Sequence, residues 1–168
     1  AQWRMDPDVP LIVPEVNPEA IKDIKKGIIA NPNCSTIQAM VPLKPLYEKY
    51  GLKRIVFSTY QAVSGSGVRG VKDLEDGIAG KPNQFYPHQK AYNCLQHKDV
   101  LMVNVYTKEK MKWKKETKKK FNEDSIKVTA IPVRVPLRAA NGEFITVELN
   151  KPFKLEIVVE AIKKAKVV

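Results

Sequence analysis

The stretch Gly27-Ile28-Ile29-Ala30-Asn31-Pro32-Asn33-Cys34-Ser35-Thr36-Ile37-Gln38 constrains the fold more than any other part of the chain. A short apolar, strand-like run is stopped by Asn31-Pro32, because the residue before a proline is pushed out of the helical region. Ser35 followed by Gln38 then reads as a capping box, which starts a helix at once. Strand, turn and helix must therefore follow one another with almost no connecting chain. Such a turn places Cys34 just outside a helix N-terminus, where unpaired N–H groups and the positive end of the helix dipole converge. A thiol there ionises more readily, and the thiolate is the nucleophile. A cysteine in a soluble protein is more often a small buried hydrophobe. The flanking turn is what nominates the Cys34 sulfur as a reaction centre.

The chain has 168 residues, 43% of them hydrophobic, enough for one domain (1–168) with a sizeable core. No apolar run approaches the roughly 20 residues that span a bilayer, so no membrane role is expected. The first residues, Ala1-Gln2-Trp3-Arg4-Met5-Asp6, show neither an apolar leader nor an initiator methionine, which points to an internal start or a trimmed chain. Two cysteines, Cys34 and Cys94, make no disulfide framework and suit a reducing, cytoplasmic setting. The net charge of +11 is uneven: Lys108 to Lys120 holds eight lysines against Glu109 and Glu116. Such a run can grip nucleic acid or another anion, but it is more often a solvated helix face. No stacking aromatics and no zinc, RRM or KH signature accompany it, so nucleic acid is the less favoured partner.

Along the chain, Val9 to Val16 reads as an extended segment interrupted by Pro10 and Pro14. Asn17-Pro18 opens a short helix to about Lys26, and Gly27 ends it. The helix after Cys34 contains Pro42 and Pro45, which predict a bend or a break between two helical pieces before Gly51. Lys53 to Ala62 is a strand, Val68 to Ile78 a short helix, and Asp99 to Tyr106 a strand. Thr107 opens the lysine-rich helix, whose thin apolar stripe is Trp113, Thr117 and Phe121. Ser125 to Leu137 and Glu143 to Leu149 read as two strands of a hairpin turned at Asn141-Gly142. In the return strand Ile145, Val147 and Leu149 share one face, and Phe144, Thr146 and Glu148 the other. Leu155 to Lys164 is the last helix. The expected class is α+β: a mostly antiparallel mixed sheet of three or four longer strands, covered on one face by helices.

Four motifs, in order, cover most of the chain. They are Arg4-Met-Asp-Pro-Asp-Val-Pro-Leu-Ile-Val-Pro-Glu-Val-Asn17, the Gly27–Gln38 stretch, Val56-Phe-Ser-Thr-Tyr-Gln-Ala-Val-Ser-Gly65 and Lys127-Val-Thr-Ala-Ile-Pro-Val-Arg-Val-Pro136. With them the chain resembles the catalytic, dimerising half of aspartate-semialdehyde dehydrogenase. The resemblance implies the C-terminal domain of the glyceraldehyde-3-phosphate dehydrogenase-like family as the fold, and an NADP-dependent oxidoreductase of amino-acid biosynthesis as the parent. It implies Cys34 as the nucleophile that attacks an acyl phosphate or aldehyde, and Gln61 as the active-site glutamine that orients the substrate. Asn33 would line the phosphate or oxyanion side. Arg134 would grip the substrate α-carboxylate, a task that suits a planar, bidentate guanidinium. Glu109 and Lys112 would hold the substrate's amino group and phosphate. A small acidic substrate or phosphate is the expected ligand at Cys34.

Three departures qualify that expectation. No Gly-rich phosphate turn of a Rossmann unit follows a strand; Gly65-x-Gly67-x-x-Gly70 belongs to the catalytic motif, so no cofactor-binding residue and no metal ligand is nominated. The chain also stops at Val168, before the family's closing helix. The family's general-base histidine, seven residues after the arginine, is replaced by Asn141, and an amide cannot shuttle that proton. His88 and His97 do not match that position. Lysines also stand where the family is apolar, in Gln89-Lys90-Ala91-Tyr92-Asn93, Gln96-His97-Lys98-Asp99 and Trp113-Lys114-Lys115-Glu116. The expectation is an isolated, resurfaced domain, engineered or natural, a monomer or weakened homodimer that does not turn over alone. The alternatives are an oxidoreductase half that needs a partner nucleotide-binding chain, or a basic anion- or nucleic-acid-binding module.

Overall fold

The computed structural model describes residues 2–95, 116–117, 121 and 123–165. The strand expected at Asp99–Tyr106 and most of the lysine-rich helix lie outside the described residues. Two compact units result, one of Ala1–Val56, Met111–Thr129 and Ile145–Val168, the other of Phe57–Lys110 and Ala130–Phe144. Among the described residues no helix is long and apolar enough to cross a membrane.

Three strands, β1 (Leu52–Gln61), β2 (Lys127–Arg134) and β3 (Asn141–Leu149), pair in the order β2-β1-β3. Asn150 N–H reaches the Gly51 carbonyl at the start of β1, and Ala62 N–H reaches the Ala140 carbonyl at its end, so β3 runs antiparallel to β1. Val135 N–H donates to the Gln61 carbonyl where β1 and β2 both finish, so those two are parallel. Among the described strands the sheet is mixed, not mostly antiparallel. The expected hairpin between β2 and β3 does not form either, because β1 lies between them. The connection crosses over instead, with Val63 and Ser64 N–H groups held by the Leu137 and Arg138 carbonyls. Asn141 is already in β3, and Ala140 takes the left-handed turn conformation at φ 73°. The alternation read from the sequence holds along β3: Ile145, Val147 and Leu149 are half-buried and Phe144, Thr146 and Glu148 exposed.

In the first unit, helix α1 (Cys34–Tyr50) runs through Pro42 and Pro45 without a break. Two hydrogen bonds are lost, but Met40, Leu43, Leu46 and Tyr50 are all buried along it. That burial outweighs the interior prolines. Helix α3 (Leu155–Lys163) packs on α1. Tyr47 also stacks obliquely on Phe121 at 4.5 Å, and Thr117 and Phe121 are buried as the apolar stripe predicts. Before α1, a bridge joins Leu11 to Ala30, and Val9, Leu11 and Ala30 form a small core. The expected helix after Asn17 is a short 3-10 turn, Pro18–Asp23. Asn17 does not cap it but braces the segment before it, accepting from Val13 N–H and donating to the Leu11 carbonyl.

In the second unit, helix α2 (Gly67–Ile78) buries Leu74 against Val63 and Ala91, with Val71 and Tyr86 alongside. Asp73, buried on the same helix, accepts the backbone N–H groups of Gln84, Phe85 and Tyr86 and so pins the following loop.

Candidate active site

The residues nominated from the sequence fall into two groups. Asn33 and Cys34 stand together in the first unit; Gln61 and Arg134 stand together in the second. Glu109 and Lys112 lie outside the described residues.

Asn33, not Ser35, is the N-cap of α1. Its Oδ1 accepts Ser35 N–H at 3.0 Å, and its own carbonyl accepts Ile37 N–H. Ser35 is fully buried inside the first turn, so the capping box does not form. Cys34 is thereby the first helical residue, exposed, with its thiol 3.8 Å from Asn33 Oδ1. Glu116 completes this group. Its carboxylate is 0% exposed, and Oε2 accepts Asn33 N–H at 2.8 Å from 83 positions away in sequence. Arg4 lies 3.6 Å from Glu116 Oε1 and donates from Nε to the Asn31 carbonyl. Sequence reasoning missed both. Glu116 reads as one of two acids in a basic run, and only its burial shows otherwise.

Gln61 ends β1 at 1% exposure and donates from Nε2 to Thr59 Oγ1 at 2.8 Å. Arg134 ends β2 at 3% exposure. Its guanidinium donates to the Ala62 carbonyl and, at 3.3 Å, to Ser66 Oγ. The Ala62 N–H is shared between the Ala140 carbonyl and Asn141 Oδ1 at 3.1 Å. Asn141 thus borders the same backbone as Arg134. Clefts of about 440 Å³ beside Gly67 and Arg138, and about 220 Å³ beside Arg69 and Phe85, are lined by neither Gln61 nor Arg134.

One sequence reading changes here. Lys90 is not a solvated replacement: it is 3% exposed, with its ammonium over the Tyr86 ring. Burial, then the neighbouring Arg134 charge, pushes its pKa below the ordinary lysine value, with Asp73 opposing. His97, Lys98, Lys114 and Lys115 lie outside the described residues. Gly70 is closed by its own chain: a Cβ there would meet Tyr86 Oη at 2.7 Å and Ser66 Cβ at 2.8 Å.

The sequence profile of the semialdehyde dehydrogenase dimerisation domain matches residues 43–168. The chain belongs to that family. Aspartate-semialdehyde dehydrogenase of Aquifex aeolicus is 51% identical over 171 residues, covering 97% of this chain and 50% of the relative. The crystal structure of aspartate semialdehyde dehydrogenase II from Vibrio cholerae superposes with a TM-score of 0.92 at 44% identity, over 98% of this chain and 51% of that one. The same enzyme complexed with ASA gives 0.91. The Candida albicans enzyme with NADP gives 0.69 at 29% identity, over 97% of this chain and 46% of that one. The chain spans about half the length of the relatives it matches.

Proposed function

We propose that this chain is the catalytic and dimerisation half of an aspartate-semialdehyde dehydrogenase, an oxidoreductase of amino-acid biosynthesis acting in the cytoplasm. The observation that carries the reading is Cys34 itself, exposed as the first residue of α1 beside the capping Asn33. In this reading the Cys34 thiolate attacks the carbonyl carbon of an acyl phosphate. The C–S bond forms, the C–O bond to phosphate breaks, and inorganic phosphate leaves a thioester on Cys34. Asn33 lines the phosphate side, Gln61 orients the substrate, and Arg134 holds its α-carboxylate, with Glu109 and Lys112 as further substrate contacts. Hydride exchange belongs to NADP in the family, and no described residue of this chain is assigned to that cofactor.

Asn141 stands where the family carries its base, so the reading stops at the acylated cysteine, without turnover. Mass spectrometry after incubation with aspartyl phosphate tests it. One acyl group should appear on Cys34 and none on a Cys34→Ser variant, with no NADPH consumed. An unmodified Cys34 overturns the nucleophile, and steady NADPH oxidation by this chain overturns the block.

A further inference from the structure

The turn that presents Cys34 is held from outside by two charged side chains that come from distant parts of the sequence. Pro32 has no N–H with which to anchor its own backbone. The groups on either side of it are taken instead. The Asn31 carbonyl accepts Arg4 Nε–H at 2.9 Å, and Asn33 N–H donates to Glu116 Oε2 at 2.8 Å. The two charges face each other, with Arg4 Nη1 3.6 Å from Glu116 Oε1. Glu116 is fully buried, and a buried carboxylate is tolerated only where a counter-charge and hydrogen-bond donors meet it. Arg4 supplies the charge and Asn33 a donor.

We propose that Arg4 and Glu116 are positioning residues that clamp the Asn31–Asn33 turn and so set where the Cys34 sulfur stands. Asn33 is fixed at every polar group the clamp and helix can reach: N–H by Glu116, carbonyl by Ile37, Oδ1 by Ser35. The next side chain in sequence is that of Cys34, so its direction follows from a residue with little freedom left. The proposal assigns the pair no contact with substrate. It rests on the reading of Cys34 as the reactive residue.

Carbamidomethylation by iodoacetamide, with the exposed Cys94 as an internal reference, reads the clamp without any substrate. Hydrogen exchange at the Asn33 amide reads it directly. In Arg4→Met and Glu116→Leu, Asn33 exchange should speed up by about tenfold or more, the scale of a lost hydrogen bond to a charge. The Cys34-to-Cys94 rate ratio should shift several-fold in both. Arg4→Lys, which keeps the charge, and Glu116→Gln, which keeps an acceptor, should recover part of each effect. The two conservative variants also decide the matter if the drastic ones fail to fold. Amides in the middle of β1 should be unchanged throughout. If exchange at Asn33 and the cysteine ratio both stay within about twofold of the parent in folded variants, the clamp is overturned. Acylation of the parent by aspartyl phosphate is a separate readout. Its failure would remove the nucleophile reading and leave the clamp standing.

Discussion

The ammonium of Lys90 stands 4.8 Å from the centre of the Tyr86 ring, at a residue almost wholly shut off from solvent. A buried cation over an aromatic face recovers some of its lost hydration, but not all of it. Lys90→Ile should therefore stabilise the chain by about 1–2 kcal/mol at neutral pH in urea unfolding. The sign with pH follows from the lowered pKa. Below it the folded protein carries a buried charge, and as pH rises towards the ordinary value of 10.5 the folded lysine sheds its proton and the cost fades. The gain from isoleucine should shrink over that interval. A gain that grows with pH would refute the assignment.

Asp73 carries the opposite linkage. Burial works against its ionised form, but three backbone N–H groups outweigh it and hold the carboxyl below the usual value of 3.8. Its contribution is complete above that value and is lost as pH falls further through the lowered one. Asp73→Asn should cost about 1.5–3 kcal/mol at neutral pH and progressively less in acid. Limited proteolysis should show the loop at 84–86 cut first.

Asn33 should behave as a helix cap. Asn33→Ala should cost about 0.5–2 kcal/mol, and Asn33→Asp should restore most of it. A cap at Ser35 would instead make Ser35→Ala the more damaging change in a thermal melt, so the two substitutions separate the alternatives.

Cys34 should alkylate faster than Cys94 at neutral pH. Both are exposed, but only Cys34 opens a helix. Peptide mapping after a short iodoacetamide pulse measures the ratio, and equal rates would deny the helix start any influence.

The elements were largely legible in the sequence, because hydrophobic period and punctuation are local signals. β1, α2, β3 and α3 lie within a residue or two of where β-branched runs, Gly67 and alternation place them. What escaped depends on distant partners. Asn141-Gly142 has hairpin chemistry, yet no local signal tells β3 to pair with β1 instead of β2. Pro42 and Pro45 argue for a broken α1, and only the burial of Met40, Leu43 and Leu46 overrules them. Both Asn33 and Ser35 are good caps, and the choice between them is made by the Glu116 carboxylate taking Asn33 N–H. Lys90 and Glu116 look like solvated charges because burial cannot be seen in composition.

Gly70 has a reach well beyond its own helix. Tyr86 and Ser66, the two side chains that would collide with any substituent there, are the ring beneath Lys90 and the hydroxyl that receives Arg134. One added methyl group at position 70 would therefore disturb an arginine it never touches. The missing side chain of Gly70 is in effect part of the seat of Arg134.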